Sequence, residues 1–409
     1  MINKFKSKKI LSLADKILSN YKLCDYCLGR LFTKIDNKLT NKEKGQIIRN
    51  ELKKYKKIKV NDCWLCSGLS NETKHFANII LKSLKKYDYE TFLIGSKIDE
   101  EILEKEQILL KYVNSEFSES IKNELNREIG KILEKKLKKE VNFENPTIMA
   151  VIDTAFDSVS LQISSLYIYG RYKKFKRNFP QTKWFCKICK GKGCKKCHYT
   201  GKLYDTSVEE LIAYKFLKET NAVDESFHGC GREDIDVRML GNGRPFVLEI
   251  KNPVKRKLNL AQLEKEINME NKDFIEVKNL RFSSKDEINR LKQAEFNKIY
   301  KIVICGEKPI NNEKLKKAVL ALQGKKIGQF TPSRVAHRRA NMVRKKYIFN
   351  CKIKHVDGNM AILIVEAQSG TYIKELITGD EGRTKPNLSE MIDNPCKVIE
   401  LDVIEIKGE

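Results

Sequence analysis

The chain has 409 residues, enough for about two or three domains that each bury a core. Lys and Arg number 80 against 54 Asp and Glu, a net charge of +26. Such an excess suits a polyanion such as nucleic acid and says little about fold, and part of it reflects a chain that is rich in Lys, Ile and Asn throughout. No run of 18 apolar residues is present, so no membrane span is expected. No apolar signal core follows the basic start at residues 1–9, so the chain is expected in the cytoplasm.

In chain order, Ile10, Leu11, Leu13, Ile17 and Leu18 fall at helical spacing and lead to Cys24-Asp25-Tyr26-Cys27. A second helix, about 42–55, leads to Cys63-Trp64-Leu65-Cys66. Residues 72–87 read as a helix, 91–98 as a strand, and 101–139 as strongly helical with an apolar stripe of Ile121, Leu125, Ile129, Ile132 and Leu133. Two β-rich stretches follow at 147–153 and 158–169, then the basic and aromatic run Arg171-Tyr172-Lys173-Lys174-Phe175-Lys176-Arg177. Helices and strands mixed in this way predict an α+β accessory domain over 1–182.

Residues 183–202 form a cysteine- and glycine-rich module, taken as the boundary before a catalytic domain over 203–409. Ser207 to Glu210 reads as a capping box that opens a helix through Leu217. Strands dominate beyond it. Residues 237–240 and 245–250 flank Gly241-Asn242-Gly243, a hairpin-like turn, and 299–305 is an apolar strand. Residues 333–346, dense in arginine, look helical, and 347–356 and 360–367 are joined at Asp357-Gly358 as a second hairpin.

Eight of the twelve cysteines form four CxxC pairs. In a cytosolic chain, paired thiols at this spacing point to metal ligation rather than disulfides. Cys24, Cys27, Cys63 and Cys66 suit one tetrahedral zinc, and Cys186, Cys189, Cys194 and Cys197 suit a second site. The expectation is one or two structural zinc ions, with His198 a bystander. An iron site of rubredoxin type would use similar ligands.

The run from His228 to Lys251 packs carboxylates and arginines between glycines, which suggests either a buried ionic site on a loop entering a strand or a solvated turn. Within it, Gly231-Arg232-Glu233-Asp234 resembles the catalytic loop of pseudouridine synthases, which presents an essential aspartate. Gly370-Thr371-Tyr372-Ile373-Lys374 resembles the same superfamily's basic-residue motif. The resemblance implies that Asp234 is the catalytic carboxylate, that Arg232 and Lys374 stand near it, and that Tyr300 stacks on the target base. It further implies that Ile373 and Leu401 line the pocket. Asp236 is the rival to Asp234, because period-two alternation puts both on one face of a strand.

The motifs Cys24 to Arg30, Ile168 to Lys173, Pro180 to Trp184 and Gln329 to Arg339 narrow the resemblance to archaeal and eukaryotic tRNA pseudouridine synthases. These act on uridines 54 and 55 of the TΨC arm. The family pattern implies a THUMP-containing zinc domain followed by a catalytic domain on a mixed, mainly antiparallel sheet. It implies tRNA as partner, no catalytic cofactor and no obligate protein partner. Arg171, Lys173, Arg334, Arg338 and Arg339 are the expected RNA-contacting cations. Two other readings are a non-catalytic zinc-containing RNA-binding protein, and a THUMP-containing thiolase or methyltransferase. The last would need a nucleotide-binding glycine loop, which the sequence does not supply.

Overall fold

A computed structural model describes residues 5, 7–36, 38–56, 58–113, 118–338 and 340–408. The chain divides into two compact units, Met1–Ser164 with Val254–Arg256, and Ser165–Pro253 with Lys257–Glu409.

The first unit is built on helices Lys8–Asn20, Asp25–Arg30, Asn41–Glu51, Thr73–Leu84, Glu100–Leu110 and Ile121–Leu137. Thr40 and Glu43 cap the third of these reciprocally. The stretch 101–139, expected as one helical pattern, is two helices, because Ser120 accepts the Asn123 amide and begins a new one. Of the expected stripe, Ile121, Leu125, Ile129 and Leu133 are buried and Ile132 is half-buried. They pack against a four-stranded sheet of β1 (Thr91–Lys97), β2 (Glu140–Val141), β3 (Ile148–Asp153) and β4 (Ser158–Ile163), in the order β2-β1-β3-β4.

The second unit is a ten-stranded sheet. Its strands are β5 (Leu166–Lys174), β6 (Asp224–Gly229), β7 (Arg238–Lys251), β8 (Ile275–Ser283), β9 (Lys298–Gly306), β10 (Lys325–Phe330), β11 (Val343–Asp357), β12 (Met360–Ala367), β13 (Thr384–Lys385) and β14 (Cys396–Ile406). The order is β13-β10-β11-β12-β9-β14-β7-β5-β8, with β6 also on β7. Only the β14–β7 pair is parallel among these, so the sheet is mixed and mainly antiparallel. Helices such as Val208–Thr220 and Leu260–Glu270 bury Ile212, Phe216, Leu263 and Ile267 in its core.

Four expectations are corrected here. The units part at Ser164/Ser165 rather than after residue 182, because residues 166–174 form β5, hydrogen-bonded to β7 on one side and β8 on the other. The module 183–202 belongs to the second unit rather than standing apart. Gly241-Asn242-Gly243 is not a hairpin turn: β7 runs through it, and both glycines take positive φ as the strand bulges. A Cβ on Gly241 would lie 1.9 Å from the Ile404 carbonyl. Residues 333–346 are likewise not one helix. A short 3-10 turn, Ser333–Arg338, gives way to β11, whose first residues pair with β10. The hairpin at Asp357-Gly358 forms as expected, joining β11 to β12.

Candidate active site

The loop before β7 is fixed from beneath by a buried ionic network. Arg244 on β7 donates from Nε to Glu233 at 2.8 Å and from Nη1 to the Cys230 carbonyl at 2.8 Å, and both side chains are almost wholly buried. The Tyr172 hydroxyl donates to Glu233 at 2.9 Å. Gln181 donates to the Tyr172 oxygen at 2.7 Å and to the Gly231 carbonyl at 3.0 Å. The fully buried Lys174 donates to the carbonyls of Phe179 and Ile235, each at 2.9 Å. An uncompensated charge here would cost several kcal/mol, so every member depends on the rest. Gly231, at φ +76°, supplies the left-handed turn of this loop, after which Glu233 enters the network and the next residue is lifted out of it. The crowded ionic run in the sequence is therefore a buried site.

The lifted residue is Asp234. It opens on a cavity of about 580 Å³ lined also by Tyr300 of β9, Leu401 and Val403 of β14, and Ile373 and Lys374. Tyr300 and Lys298 point to the same face of β9 by period-two alternation. Gln329 of β10 accepts the Tyr372 amide and donates to the Tyr372 carbonyl, each at 2.8 Å, and so seats the segment that carries Ile373 and Lys374. Burial, with the Asp234 charge adding to it, pushes the Tyr300 hydroxyl up to about 12, so its ring is neutral at physiological pH.

Asp234 Oδ2 lies 2.8 Å from Arg334 Nη1 and 3.7 Å from Lys374 Nζ. Lys374 is closer to Asp236, at 2.7 Å. Burial would raise the Asp236 carboxyl, but the Lys374 hydrogen bonds and charge win, and it sits below the usual carboxylate range. Asp236 lines only a neighbouring hollow of about 200 Å³, which Asp234 shares. The two rivals thus differ in what they face: Asp234 meets Tyr300 and Leu401 across the larger cavity, and Asp236 does not.

Cations dominate the lining. Arg232, Arg244, Lys298, Arg334, Arg344, Lys346 and Lys374 face two carboxylates, Glu233 and Asp234, which makes a strongly positive well for a phosphate-bearing substrate. Lys298 carried no role in the sequence reading, Arg244 entered only as one arginine of the ionic run, and Arg344 and Lys346 only as part of the basic stretch 333–346. The signal was available in part, since Lys298 precedes Tyr300 by two residues and Arg344 precedes Lys346 by two on strands. Arg232 lines the cavity but stands over the Trp184 ring at 5.8 Å.

Arg171 is a correction. It is buried and donates to the carbonyls of Asn242 and Gly243 at 2.8 and 2.9 Å, so it clamps the β7 bulge and offers nothing to RNA. Lys173 pairs with Glu276 at 3.0 Å, away from the cavity. The Arg338 side chain and the whole of Arg339 lie outside the described residues.

Both expected cysteine sets converge. Cys24, Cys27, Cys63 and Cys66 bring four sulfurs within 4.8 Å of one another, and so do Cys186, Cys189, Cys194 and Cys197. Separations of 3.8 Å for Cys24–Cys66 and 3.7–3.9 Å within the second set match the roughly 3.8 Å between sulfurs about 2.3 Å from one tetrahedral ion. Each set therefore fits a single metal ion, and His198 is not in either. In the first unit, Arg30 donates to Cys27 Sγ at 3.2 Å while it pairs with Glu124 at 2.5 Å, which explains an arginine three residues after that knuckle.

Comparison with known proteins shows the family. The family model for the Pus10 C-terminal region matches residues 167–407, and the archaeal Pus10 THUMP domain matches residues 76–153. The tRNA pseudouridine synthase Pus10 of Methanocaldococcus jannaschii is 41% identical over 431 residues, which cover 96% of this chain and 93% of that protein. Its counterpart in Pyrococcus furiosus is 38% identical over 402 residues, covering 97% and 98%. That of Methanothrix thermoacetophila is 37% identical over 429 residues, covering 98% and 95%. The chain is thus a pseudouridine synthase, an isomerase. The chain belongs to the Pus10 family, with a THUMP-containing first unit and a pseudouridine synthase second unit.

No helix among the described residues is long and apolar enough to cross a membrane.

Proposed function

We propose that this chain converts uridine to pseudouridine in the TΨC arm of tRNA, at position 54, 55 or both, with Asp234 as the reacting carboxylate. The observation that carries the reading is the placement of Asp234 in one cavity with Tyr300, Leu401 and a ring of cations.

The reaction breaks the bond from ribose C1′ to uracil N1, turns the base, and joins C1′ to C5. The C5 proton leaves and a proton ends on N1, so atoms balance without oxidant, nucleotide or other co-reactant. Ionised Asp234 either attacks C1′ or removes a ribose proton to give a glycal. Arg334 at 2.8 Å holds the carboxylate in place by a charge-assisted contact. A neutral Tyr300 stacks on the base that has left its helix, while Ile373 and Leu401 close the apolar side of the pocket. Lys298, Arg344 and Lys346 lie where sugar-phosphate oxygens would enter.

Zinc is the proposed ion at both cysteine sets, since four thiolates suit it and leave no open position for chemistry. A cytoplasmic location is part of the same reading, because eight reduced, paired thiols need a reducing compartment.

The test is incubation of the purified chain with an unmodified tRNA transcript, no cofactor added, followed by mapping of pseudouridine. Conversion in the TΨC arm is expected from the native chain. Binding of tRNA with no conversion would favour a non-catalytic RNA-binding protein instead.

A further inference from the structure

The second cysteine module has apolar side chains that its own small body does not cover. Between Trp184 and Tyr204 the chain carries Phe185, Ile188 and Tyr199, which are 58, 61 and 70% exposed. Apolar side chains of this size are more often buried, and three on so short a segment, two of them rings, call for an occupant.

Backbone geometry shows how the exposure is held. His198 and Tyr199 both lie in the left-handed region, at φ +50° and +62°. Left-handed backbone is strained for residues with a Cβ, so the turn that carries Tyr199 persists only because its surroundings impose it. The four converging sulfurs and three close approaches do so. A Cβ on Gly191 would lie 3.0 Å from the Phe185 ring, one on Gly193 would lie 2.8 Å from the Tyr199 carbonyl, and one on Gly201 would lie 2.4 Å from the Gly191 carbonyl. Phe185 and the backbone of Tyr199 are therefore fixed around the same glycine-lined turn.

Charge selects the occupant. Residues 185–203 contain no Asp or Glu. Lys202 is taken up by Glu210. Lys187, Lys190, Lys192, Lys195 and Lys196 are in no ion pair among the described residues. Four thiolates on a divalent ion leave two negative charges, which these lysines outweigh. Exposed rings among unpaired cations suit unstacked nucleotides, whose bases lie on rings while phosphates meet lysines. An acidic, base-free partner would have no use for the rings.

The module is also anchored beside the proposed active site. Leu203 donates to the Trp184 carbonyl at 2.9 Å, and the Trp184 and Tyr204 rings meet edge-on at 5.7 Å, which closes the module at its base. Trp184 lines the hollow that holds Asp234 and Lys374.

We propose that the module is a stacking platform for single-stranded RNA, with Phe185 and Tyr199 receiving bases that flank the target uridine and the lysines receiving their phosphates. This rests on the proposed RNA substrate but not on which residue performs the chemistry.

The test uses the full, metal-loaded chain and compares Phe185→Ala, Tyr199→Ala and the double variant with the native protein. Metal content and a thermal melt establish that each is folded and loaded. Kd is measured for an unmodified tRNA and for a stem duplex without a loop, and single-turnover rates are measured at saturating tRNA. Each lost ring should raise Kd for tRNA about tenfold, with KM rising in step. The saturated rate and the duplex affinity should be unchanged, and Tyr199→Phe should bind as the native chain does. Unchanged Kd and KM in folded, loaded variants would overturn the platform and leave the patch to a protein partner. A native chain that binds tRNA with these dependences but forms no pseudouridine would sink the proposed function and leave the platform standing.

Discussion

Arg334 holds Asp234: its Nη1 lies 2.8 Å from the carboxylate while its Nε is anchored 2.6 Å from the buried Glu375. The guanidinium is thus fixed at both ends, one on Asp234 and one on the helix Ile373–Thr378. A lysine has no planar fork with which to serve both carboxylates. Arg334→Ala should lower the single-turnover rate by about 10²–10³-fold, the usual loss for one preorganised donor, with little change in tRNA affinity. Arg334→Lys should recover only part of it. A variant that loses affinity and keeps its saturated rate would make Arg334 a phosphate contact only.

Asp234 and Asp236 are separated by the same geometry. Lys374 sits 2.7 Å from Asp236 and 3.7 Å from Asp234, so proximity to that lysine favours Asp236, whereas only Asp234 shares the larger cavity with Tyr300. Asp234→Asn should abolish pseudouridine formation while tRNA still binds. Asp236→Asn should lose no more than about tenfold, because it removes the partner that steadies Lys374 rather than the reacting group. Retained turnover in the first with loss in the second would reverse the roles.

Much of this site was legible because its residues lie in short motifs. Asp234, Tyr300, Ile373, Lys374 and Leu401, assigned by resemblance, all line one cavity. What was hidden lies in long-range partnership. Arg334 reaches Asp234 from the turn after β10, and Arg344 and Lys346 arrive on β11, a strand that the arginine density disguised as a helix. Arg171 failed for the opposite reason. Alternating cations and rings look like an RNA-binding surface, but β5 is an interior strand flanked by β7 and β8, and Arg171, Tyr172 and Lys174 are all buried. Composition shows such a pattern without showing whether the strand has neighbours on both sides. The bulge at Gly241 was misread for a related reason, since glycines that permit positive φ serve a turn and a bulge equally.

Lys298 gives the site a pH dependence. Burial, with Arg244 adding to it, lowers this lysine to about 8, and its ammonium donates to Ser369 at 3.2 Å inside the cavity. It is charged below pH 8 and neutral above, so KM for tRNA should rise as pH passes 8, and Lys298→Arg should remove that rise. In the unfolded chain the group titrates near 10.4. Between about pH 8 and 10.4 the unfolded state holds more protons, so stability gains with pH across that window. Lys298→Met should therefore melt above the native chain at pH 7, and the difference should shrink toward pH 10.4. A difference constant with pH would show that the native lysine carries no such burden.

In the first unit, the metal site depends on a close helix crossing. Gly29 and Gly45 bring the helices Asp25–Arg30 and Asn41–Glu51 into backbone contact: a Cβ on Gly45 would lie 1.9 Å from the Asp25 carbonyl, and one on Gly29 would lie 1.7 Å from the Asn41 carbonyl. The obstructing atoms are backbone, so no rotamer change relieves them, and the helices must part. The first of these helices starts at the Cys24 knuckle and carries Cys27, so parting it shifts two of four sulfurs away from Cys63 and Cys66. Gly45→Ala should therefore destabilise the first unit by about 1–3 kcal/mol or more and lower its metal occupancy from one ion toward none. The second cysteine set and the Asp234 cavity belong to the other unit, so metal should stay there. Elemental analysis should thus fall by one ion per chain while limited proteolysis cuts first within residues 5–164. A variant that retains both ions and resists cleavage as the native chain does would show that the crossing can open without disturbing the sulfurs.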